Sequence, residues 1–138
     1  MVQLLTILNV VDSSGVRKVK CIKVIGSFKK KIASMGDQIA VVIKKIDHKK
    51  NKVKKGARVS KSRKIYKGAI EGAVRRALVV RSAQRFYRAP GIFIKFGENA
   101  CLIINRKKVP VTNRIKGPVL RETCLQYPSL GSIATYIL

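Results

Sequence analysis

The chain has 138 residues, of which 46% are hydrophobic, so it can form one domain with one core and is not a disordered basic tail. Its 31 Lys and Arg residues oppose only 6 Asp and Glu, and the net charge of +25 favours a polyanionic partner, above all nucleic acid. No apolar run approaches the ~20 residues that span a bilayer, and no long basic amphipathic helix is visible, so a membrane partner is disfavoured.

Short apolar segments rich in Val, Ile, Leu and Phe follow one another along the chain, with turn residues between them. The first segment, 2–11, starts so early that we expect no signal or transit peptide ahead of the fold. Short strands separated by frequent turns predict an all-β sandwich or barrel. The later segments predicted as strands are 17–25, 38–46, 74–82, 92–96 and 100–105.

The C-terminal part of the chain differs in pattern from these strands. Pro110 cannot donate to a strand ladder, so we expect it at an edge or at a strand end. Residues 119–126 can form one or two helical turns before Pro128 stops them, and 130–138 is a short apolar closing segment. The predicted core residues are Ile22, Val24, Val41, Ile43, Val79, Ile94, Phe96 and Ile103.

Basic residues concentrate in three clusters. In the largest, from Lys44 to Lys67, half of the residues are Lys or Arg, and the part from 48 to 56 is expected to project as a hairpin or loop. Cationic side chains on such a projection can each neutralise a phosphate, whereas a plain solvated surface would mix charges of both signs. Phe86 and Tyr87 can stack on splayed bases or pack in a turn. The other clusters are Lys29–Lys31, and Arg75, Arg76, Arg81, Arg85 and Arg88.

Residues that could carry catalysis or hold a metal are scarce. The few carboxylates are explained as turn, cap or ion-pair residues rather than as an acid–base pair, and no glycine-rich nucleotide-binding pattern occurs. Cys21, Cys101 and Cys124 are far apart, have only His48 as a further metal ligand, and lie in or beside apolar stretches. The sequence therefore predicts no catalytic residue, metal or cofactor, and cysteines that act as core residues in a reducing compartment.

A series of short motifs runs along the chain as far as about Glu122. Each motif is weak alone, but together they are specific. The first, Asn9 to Arg17, contains a turn in which Asp12 and Ser14 can hydrogen-bond their own backbone and Gly15 permits a positive φ. The other motifs are Cys21-Ile22-Lys23-Val24, Gly36-Asp37, Lys52-Val53-Lys54-Lys55-Gly56, Phe96 with Asn99-Ala100, and Arg114-Ile115-Lys116-Gly117-Pro118-Val119 with Arg121-Glu122.

In their order and near spacing, these motifs resemble the universal large-subunit ribosomal protein fourteen family. This resemblance implies a small closed five-stranded β-barrel with a projecting basic ribbon and short C-terminal helical turns. It also implies binding to large-subunit ribosomal RNA, contact with neighbouring large-subunit ribosomal proteins, and an intersubunit bridge to small-subunit RNA. The predicted rRNA-binding residues are Arg17, Lys18, Lys23, Lys29, Lys30, Lys31, Lys49, Lys50, Lys52, Lys54, Lys55 and Arg81. The residues predicted to contact the bridge or a factor are Asn113, Arg114 and Lys116, and those predicted to form structural turns are Asp12, Ser14, Gly15, Gly36, Asp37, Asn99, Gly117 and Pro118.

Three departures from the family pattern are visible. Residues 57–72 resemble an insertion where typical bacterial members pass directly to the next strand, and Pro90-Gly91 replaces the usual Asp, Asn or Ser before Gly. The segment from Cys124 to Ser132 contains no Lys or Arg, whereas bacterial relatives are basic there, so contacts with subunit-separating silencing factors are in doubt. The departures favour an organelle-encoded copy in the mitochondrial ribosome, with a bacterial or plastid copy as the alternative.

The leading hypothesis is a structural protein of the large ribosomal subunit. The competing class is a free RNA chaperone built on an oligonucleotide-binding barrel. Such a chaperone should carry an aromatic platform, and aromatic residues make up only 6% of this chain and are scattered. An RNA-modifying enzyme would need a carboxylate, Cys or His cluster, which the sequence does not offer.

Overall fold

Five strands of the chain close into a barrel. The computed structural model of the chain describes residues 1–26, 30–47, 70–89 and 91–138. The strands are β1 (Ile7–Val10), β2 (Val16–Ile25), β3 (Gln38–Ile46), β4 (Val74–Arg81), β5 (Phe86–Arg88), β6 (Ile92–Ile94), β7 (Ala100–Ile104), β8 (Ile115–Val119) and β9 (Ala134–Ile137), and the helices are α1 (Arg121–Gln126) and α2 (Pro128–Gly131). Around the barrel the order is β1–β2–β3–β4–β7, and a parallel pair between β1 and β7 closes it. The closed five-stranded barrel and the short C-terminal helices are therefore confirmed.

The barrel interior holds the first of two hydrophobic cores. Successive side chains of a strand point to opposite faces, so each strand contributes alternate residues to the interior. Ile39, Val41 and Ile43 of β3 are at most 1% exposed. Two free thiols, those of Cys21 and Cys101, lie in the same core, and burial raises the pKa of Cys101. The predicted core residues that this cluster confirms are Val24, Val41, Ile43, Val79 and Ile103.

The prediction that Ile22 lies in the core is wrong. Its side chain is 40% exposed, whereas Cys21 and Val24 on either side are buried. The register between β2 and β3 shifts between Cys21 and Lys23, and a bulge of this kind places two successive residues on the outer face. Simple alternation contains no sign of the extra residue, so it assigned Ile22 to the wrong face.

A second core lies on the outer face of β4 and β7. Leu78 and Leu102 are fully buried there because the C-terminal segment covers them, and Ile115, Val119 and Leu130 belong to the same cluster. Within that segment β8 and β9 pair in parallel, and neither strand was predicted. The proline at 128 ends the first helical segment as expected, and it also begins α2, a position that suits its fixed φ.

Strands β5 and β6 form an antiparallel hairpin separate from the barrel. Tyr87 is 69% exposed and Phe93 53%, and their rings meet edge to face with centroids 4.5 Å apart. Arg88 joins the hairpin to the C-terminal segment through an ion pair with Glu122 (Nε to Oε1, 2.5 Å). Ile94, predicted as a core residue, belongs to this hairpin and is half-buried there. Arg88 therefore links the hairpin to the C-terminal segment.

Most of the basic segment between β3 and β4 lies outside the described residues, and so do Lys29, the predicted ribbon at 48–56 and positions 57–69 of the predicted insertion. The two described ends of this connection are joined by hydrogen bonds. The Gly72 N–H donates to the Ile43 carbonyl at 2.9 Å, and the Ile43 N–H donates to the Ala73 carbonyl at 3.1 Å. The connection therefore leaves and rejoins the barrel at the same end of the β3–β4 pair.

Candidate nucleic-acid interface

A groove of about 930 Å³ on the outside of the barrel gathers cationic side chains from distant parts of the sequence. Within the described ranges no Asp or Glu lines this groove, although Asp37 reaches one of its lysines from outside. We call it the cationic groove. Its cationic residues are Lys23, Lys30, Lys31, Arg75, Arg76 and Arg106.

The register of the barrel strands explains why these charges converge. Lys23 of β2 lies opposite Ala40 of β3, and Ala40 lies opposite Arg76 of β4. Adjacent strands are ~4.8 Å apart, so the backbones at Lys23 and Arg76 are roughly 10 Å apart with a small side chain between them. Both cationic residues are exposed. One row across three strands thus forms two charged walls and a low floor.

Lys30 is oriented at the edge of the cationic groove by a neighbouring turn. Its Nζ lies 2.7 Å from Oδ1 of Asp37, whose Oδ2 accepts the Ser34 N–H at 2.7 Å. Gly36 in this turn has φ +88°, and its N–H donates to the Val79 carbonyl of β4 at 2.9 Å. The turn is therefore fixed to the barrel, and through Asp37 it holds one lysine against the groove.

A second depression, of about 570 Å³, has a different charge balance, and we call it the mixed-charge cleft. Three of the chain's six carboxylates line it, which offsets most of its positive charge. Arg17 Nη2, for example, lies 3.3 Å from Asp47 Oδ2. The cleft therefore attracts a polyanion less strongly than the cationic groove. Its cationic residues are Arg17, Lys18, Arg81 and Lys116, and its anionic residues are Asp12, Asp47 and Glu98.

The turn beside the mixed-charge cleft is organised by the buried side chain of Asp12. Its Oδ1 accepts the Ser14 N–H at 2.8 Å, and its Oδ2 accepts the Ile103 N–H of β7 at 3.1 Å. Gly15 has φ +91°, a conformation that residues with a side chain rarely adopt. The turn thus connects β1 to β2 and ties both to β7. The exposed cations that follow it are Arg17 and Lys18.

Arg81 of β4 is only 9% exposed, and its side chain links β4 to β8 and, through Glu98, to β1. Its Nη1 lies 2.8 Å from Glu98 Oε1, and its Nη2 donates to the backbone carbonyl of Lys116. The other oxygen of Glu98 accepts a hydrogen bond from Asn9 Nδ2 at 2.8 Å. Burial lowers the pKa of the guanidinium, and the charge of Glu98 opposes that shift. Contact between Arg81 and RNA stays a prediction, since the side chain is almost buried and two of its nitrogens donate within the chain.

The residues predicted to reach a bridge or factor lie at the start of β8. Asn113, Arg114 and Lys116 are all exposed, whereas Ile115 between them is fully buried. Alternation along the strand therefore turns Arg114 and Lys116 outward together. The turn residue Asn99 lies elsewhere, where its Oδ1 accepts the Ala83 N–H at 2.9 Å.

The structure brings together only some of the residues predicted to bind RNA. The cationic groove unites Lys23 with Lys30 and Lys31, whereas Arg17, Lys18 and Arg81 lie in the mixed-charge cleft. The predictions omitted three groove arginines, because the sequence does not reveal which face of the barrel an arginine occupies. The missed residues are Arg75, Arg76 and Arg106. The predicted residues outside the described ranges are Lys29, Lys49, Lys50, Lys52, Lys54 and Lys55.

In the described part of the chain, no group of three or more His, Cys, Asp and Glu residues is placed to hold a metal ion. None of the described helices is long and apolar enough to cross a membrane.

Comparison with known families gives a match over the whole length of the chain. The family model described as ribosomal protein L14p/L23e matches residues 1–138. The match thus includes the barrel, the cationic groove, the mixed-charge cleft and the C-terminal segment.

Proposed function

This chain belongs to the ribosomal protein L14p/L23e family, and from that membership we propose that it binds large-subunit ribosomal RNA through the cationic groove. The family consists of structural rather than enzymatic proteins of the large ribosomal subunit, so this protein acts in translation, at the ribosome, in association with ribosomal RNA and ribosomal proteins. The observation that carries the assignment to the groove is its lining of six cationic residues, with no carboxylate from the described ranges. Such a surface can neutralise several phosphates and release their counterions.

We also propose that Asn113, Arg114 and Lys116 contribute to an intersubunit bridge with small-subunit RNA. All three are exposed, and none of them lines the cationic groove. The buried side chain of Ile115 and the hydrogen bond from Arg81 to the Lys116 carbonyl hold this strand in place. A fixed strand with outward cations suits a contact that forms when two preassembled subunits meet.

A third contact follows from the surface made by the β5–β6 hairpin and the C-terminal segment. Tyr87, Phe93 and Tyr136 are each more than half exposed on it, and residues 122–138 contain no Lys or Arg. Among the described strands, β9 pairs with β8 alone and leaves its other edge open. Apolar rings beside an open strand edge, in a chain of charge +25, suit a neighbouring ribosomal protein better than RNA. We propose that such a protein docks there.

For location we propose the mitochondrial ribosome. The support is the Lys-rich segment at 44–67, the resemblance of 57–72 to an insertion, and the absence of Lys and Arg from 124–132. Fractionation of cells that carry a tagged copy tests this directly. Recovery of the tag with mitochondrial ribosomes is expected, and recovery with cytoplasmic or plastid ribosomes would refute this location alone.

Sedimentation of the tagged full chain through a sucrose gradient tests the proposed function. The wild-type protein should comigrate with the large subunit, and a position at the top of the gradient would refute the proposal. Lys23→Gln with Arg76→Gln should lower the fraction in the large subunit. The matched control is Arg85→Gln with Lys95→Gln, two exposed cations outside the groove, which should incorporate normally. Equal incorporation of both double variants would exclude the groove as the RNA contact.

The bridge has a separate readout in the same gradient. Arg114→Gln with Lys116→Gln should enter large subunits normally and lower the ratio of whole ribosomes to free subunits at low Mg²⁺. An unchanged ratio would exclude these two residues from the bridge.

A further inference from the structure

The floor of the cationic groove is aliphatic, although its walls are charged. Leu4 is 58% exposed and Val74 is 59% exposed, and both line the groove together with the small residue Ala40. Val74 lies on the same face of β4 as Arg76, because residues two apart in a strand point the same way. Charged and aliphatic groups therefore alternate within reach of one another along the groove.

The aliphatic floor restricts the kind of RNA that fits. The outside of a regular A-form helix presents phosphates and 2′-hydroxyls, and its base faces are stacked inside. Packing such a helix against Leu4 and Val74 would strip water from phosphates without giving the two side chains an apolar partner. An unpaired strand presents its base faces and the carbon-bound edges of its riboses as well as its phosphates.

Resting on the proposed RNA-binding function, we infer that the cationic groove takes an unpaired RNA segment, such as a loop, a bulge or a single strand. Its phosphates lie against Lys23 and Arg76, which flank the groove in one row across three strands. A ribose or base between those phosphates packs on the floor formed by Ala40, Val74 and Leu4. The guanidinium of Arg76 or Arg106 can in addition lie flat on a base, which an ammonium group cannot do.

The opening of the groove supports the same occupant. Gly26 lines one end, and a side chain added there would meet no atom of the described residues within 4 Å. Ile104 at the other wall is only 3% exposed, so it closes the floor against the second hydrophobic core. In the part of the chain that the structure describes, the groove is thus open beside Gly26 and closed beneath. A flexible strand can enter such a groove lengthwise, whereas a rigid duplex would rest on its rim.

Equilibrium binding of two RNAs to the purified full-length protein tests this inference. One RNA is an unstructured single strand of about 12 nucleotides, and the other is a perfect duplex of the same strand length. For each protein variant the measured quantity is the ratio of the two dissociation constants. Leu4→Ser with Val74→Thr, which removes apolar surface at constant charge, should weaken single-strand binding roughly 10-fold and change duplex binding little. The control, Ile7→Ser with Val109→Thr, alters two exposed aliphatic residues outside the groove and should leave the ratio unchanged.

Removal of charge should give a different pattern from removal of the floor. Lys23→Gln with Arg76→Gln should weaken binding of both RNAs and lower the salt slope of single-strand binding by about 1.4. An unchanged ratio in the floor variant, or equal weakening of both RNAs, would overturn the inference. Circular dichroism and thermal unfolding identify any variant that fails to fold. If the double variant does not fold, the ratio of the two dissociation constants is measured for the single substitution Val74→Thr, which nearly preserves side-chain shape.

Two further outcomes separate this inference from its alternatives. If a peptide of alternating Glu and Leu displaces the single strand more effectively than unlabelled single strand does, the groove belongs to an acidic protein segment and the inference fails. If the floor variant shows no altered preference while the protein still sediments with large subunits, only this inference fails. Absence of the wild-type protein from large subunits would instead refute the proposed function.

Discussion

The guanidinium of Arg81 occupies the space that a side chain at Gly117 would need. A Cβ at Gly117 would lie 2.8 Å from Nη2 and 3.1 Å from Cζ of Arg81, and Gly117 itself has φ +79°. Strand β8 approaches the arginine through a residue with no side chain, which lets Nη2 reach the carbonyl of the preceding Lys116. The glycine of the family-like motif at 114–119 therefore has a definite physical role in this chain.

Replacement of Gly117 by Ala should destabilise the fold by about 1–3 kcal/mol, because it adds both backbone strain and a contact with Arg81. In urea unfolding, the double variant with Arg81→Met should lose less stability than the sum of the two single losses, since the contact then disappears. Gly131→Ala is the matched control, because a side chain there meets no atom within 4 Å and the glycine has no positive φ. Equal effects at the two glycines would contradict the role of Arg81.

Asp12→Ala should destabilise the protein by roughly 1–3 kcal/mol, because it leaves two backbone N–H groups without their acceptor in a buried site. Asp12→Asn keeps one carbonyl oxygen and should lose less. Ser13→Ala, at an exposed position in the same turn, serves as the control and should stay near wild type. Denaturant unfolding of the three variants gives the ranking, and equal stability of Asp12→Ala and Ser13→Ala would exclude this network.

Two isoleucines of the barrel strands should respond very differently to truncation. Ile103 is fully buried, so Ile103→Ala should lower the free energy of unfolding by about 2–5 kcal/mol. Ile22 is 40% exposed beside the β2 bulge, so Ile22→Ala should remain within about 1 kcal/mol of wild type. Comparable losses in urea unfolding would show that Ile22 faces the core after all.

The ion pair between Arg88 and Glu122 should make stability depend on pH. The hydrogen bond from Arg88 lowers the pKa of Glu122 below its ordinary 4.5. A carboxyl whose pKa is lower in the folded state adds stability above its unfolded pKa and loses it as pH falls through the folded value. The difference in Tm between wild type and Glu122→Gln should therefore be largest near neutral pH. It should disappear as the pH falls below 4.5. It should be small and shrink in high salt, since both groups are part-exposed.

RNA binding by the full chain should depend steeply on salt. If the protein neutralises ~6 phosphates, affinity should fall roughly 10³-fold between about 50 and 200 mM salt. Arg76→Gln should remove about one phosphate contact and so make the plot of log affinity against log salt concentration less steep. Arg85→Gln, outside the groove, should leave that slope unchanged. A flat titration of the wild-type protein would rule out a phosphate-dominated contact.

Much of the barrel could be predicted from the sequence, because strand periodicity and turn chemistry are local properties. The predicted segment 38–46 coincides with β3, and 74–82 differs from β4 by one residue. The turn at 12–15 was also evident, because Asp and Ser bond their own backbone and Gly allows positive φ. The net charge alone indicated that the binding partner is a polyanion.

Pairing between distant segments determined the rest. The short strands β8 and β9 stabilise one another across the chain and carry little signal alone, so neither was predicted. The bulge that turns Ile22 outward is a property of the pairing between β2 and β3, so it cannot be predicted from the sequence of β2 alone. Likewise, Arg76 and Arg81 lie five positions apart in one strand, yet Arg76 faces the cationic groove while Arg81 is buried against Glu98. The sequence by itself therefore determined the charge and the strands, and only the tertiary structure decided which arginine meets solvent, because burial depends on what covers each face.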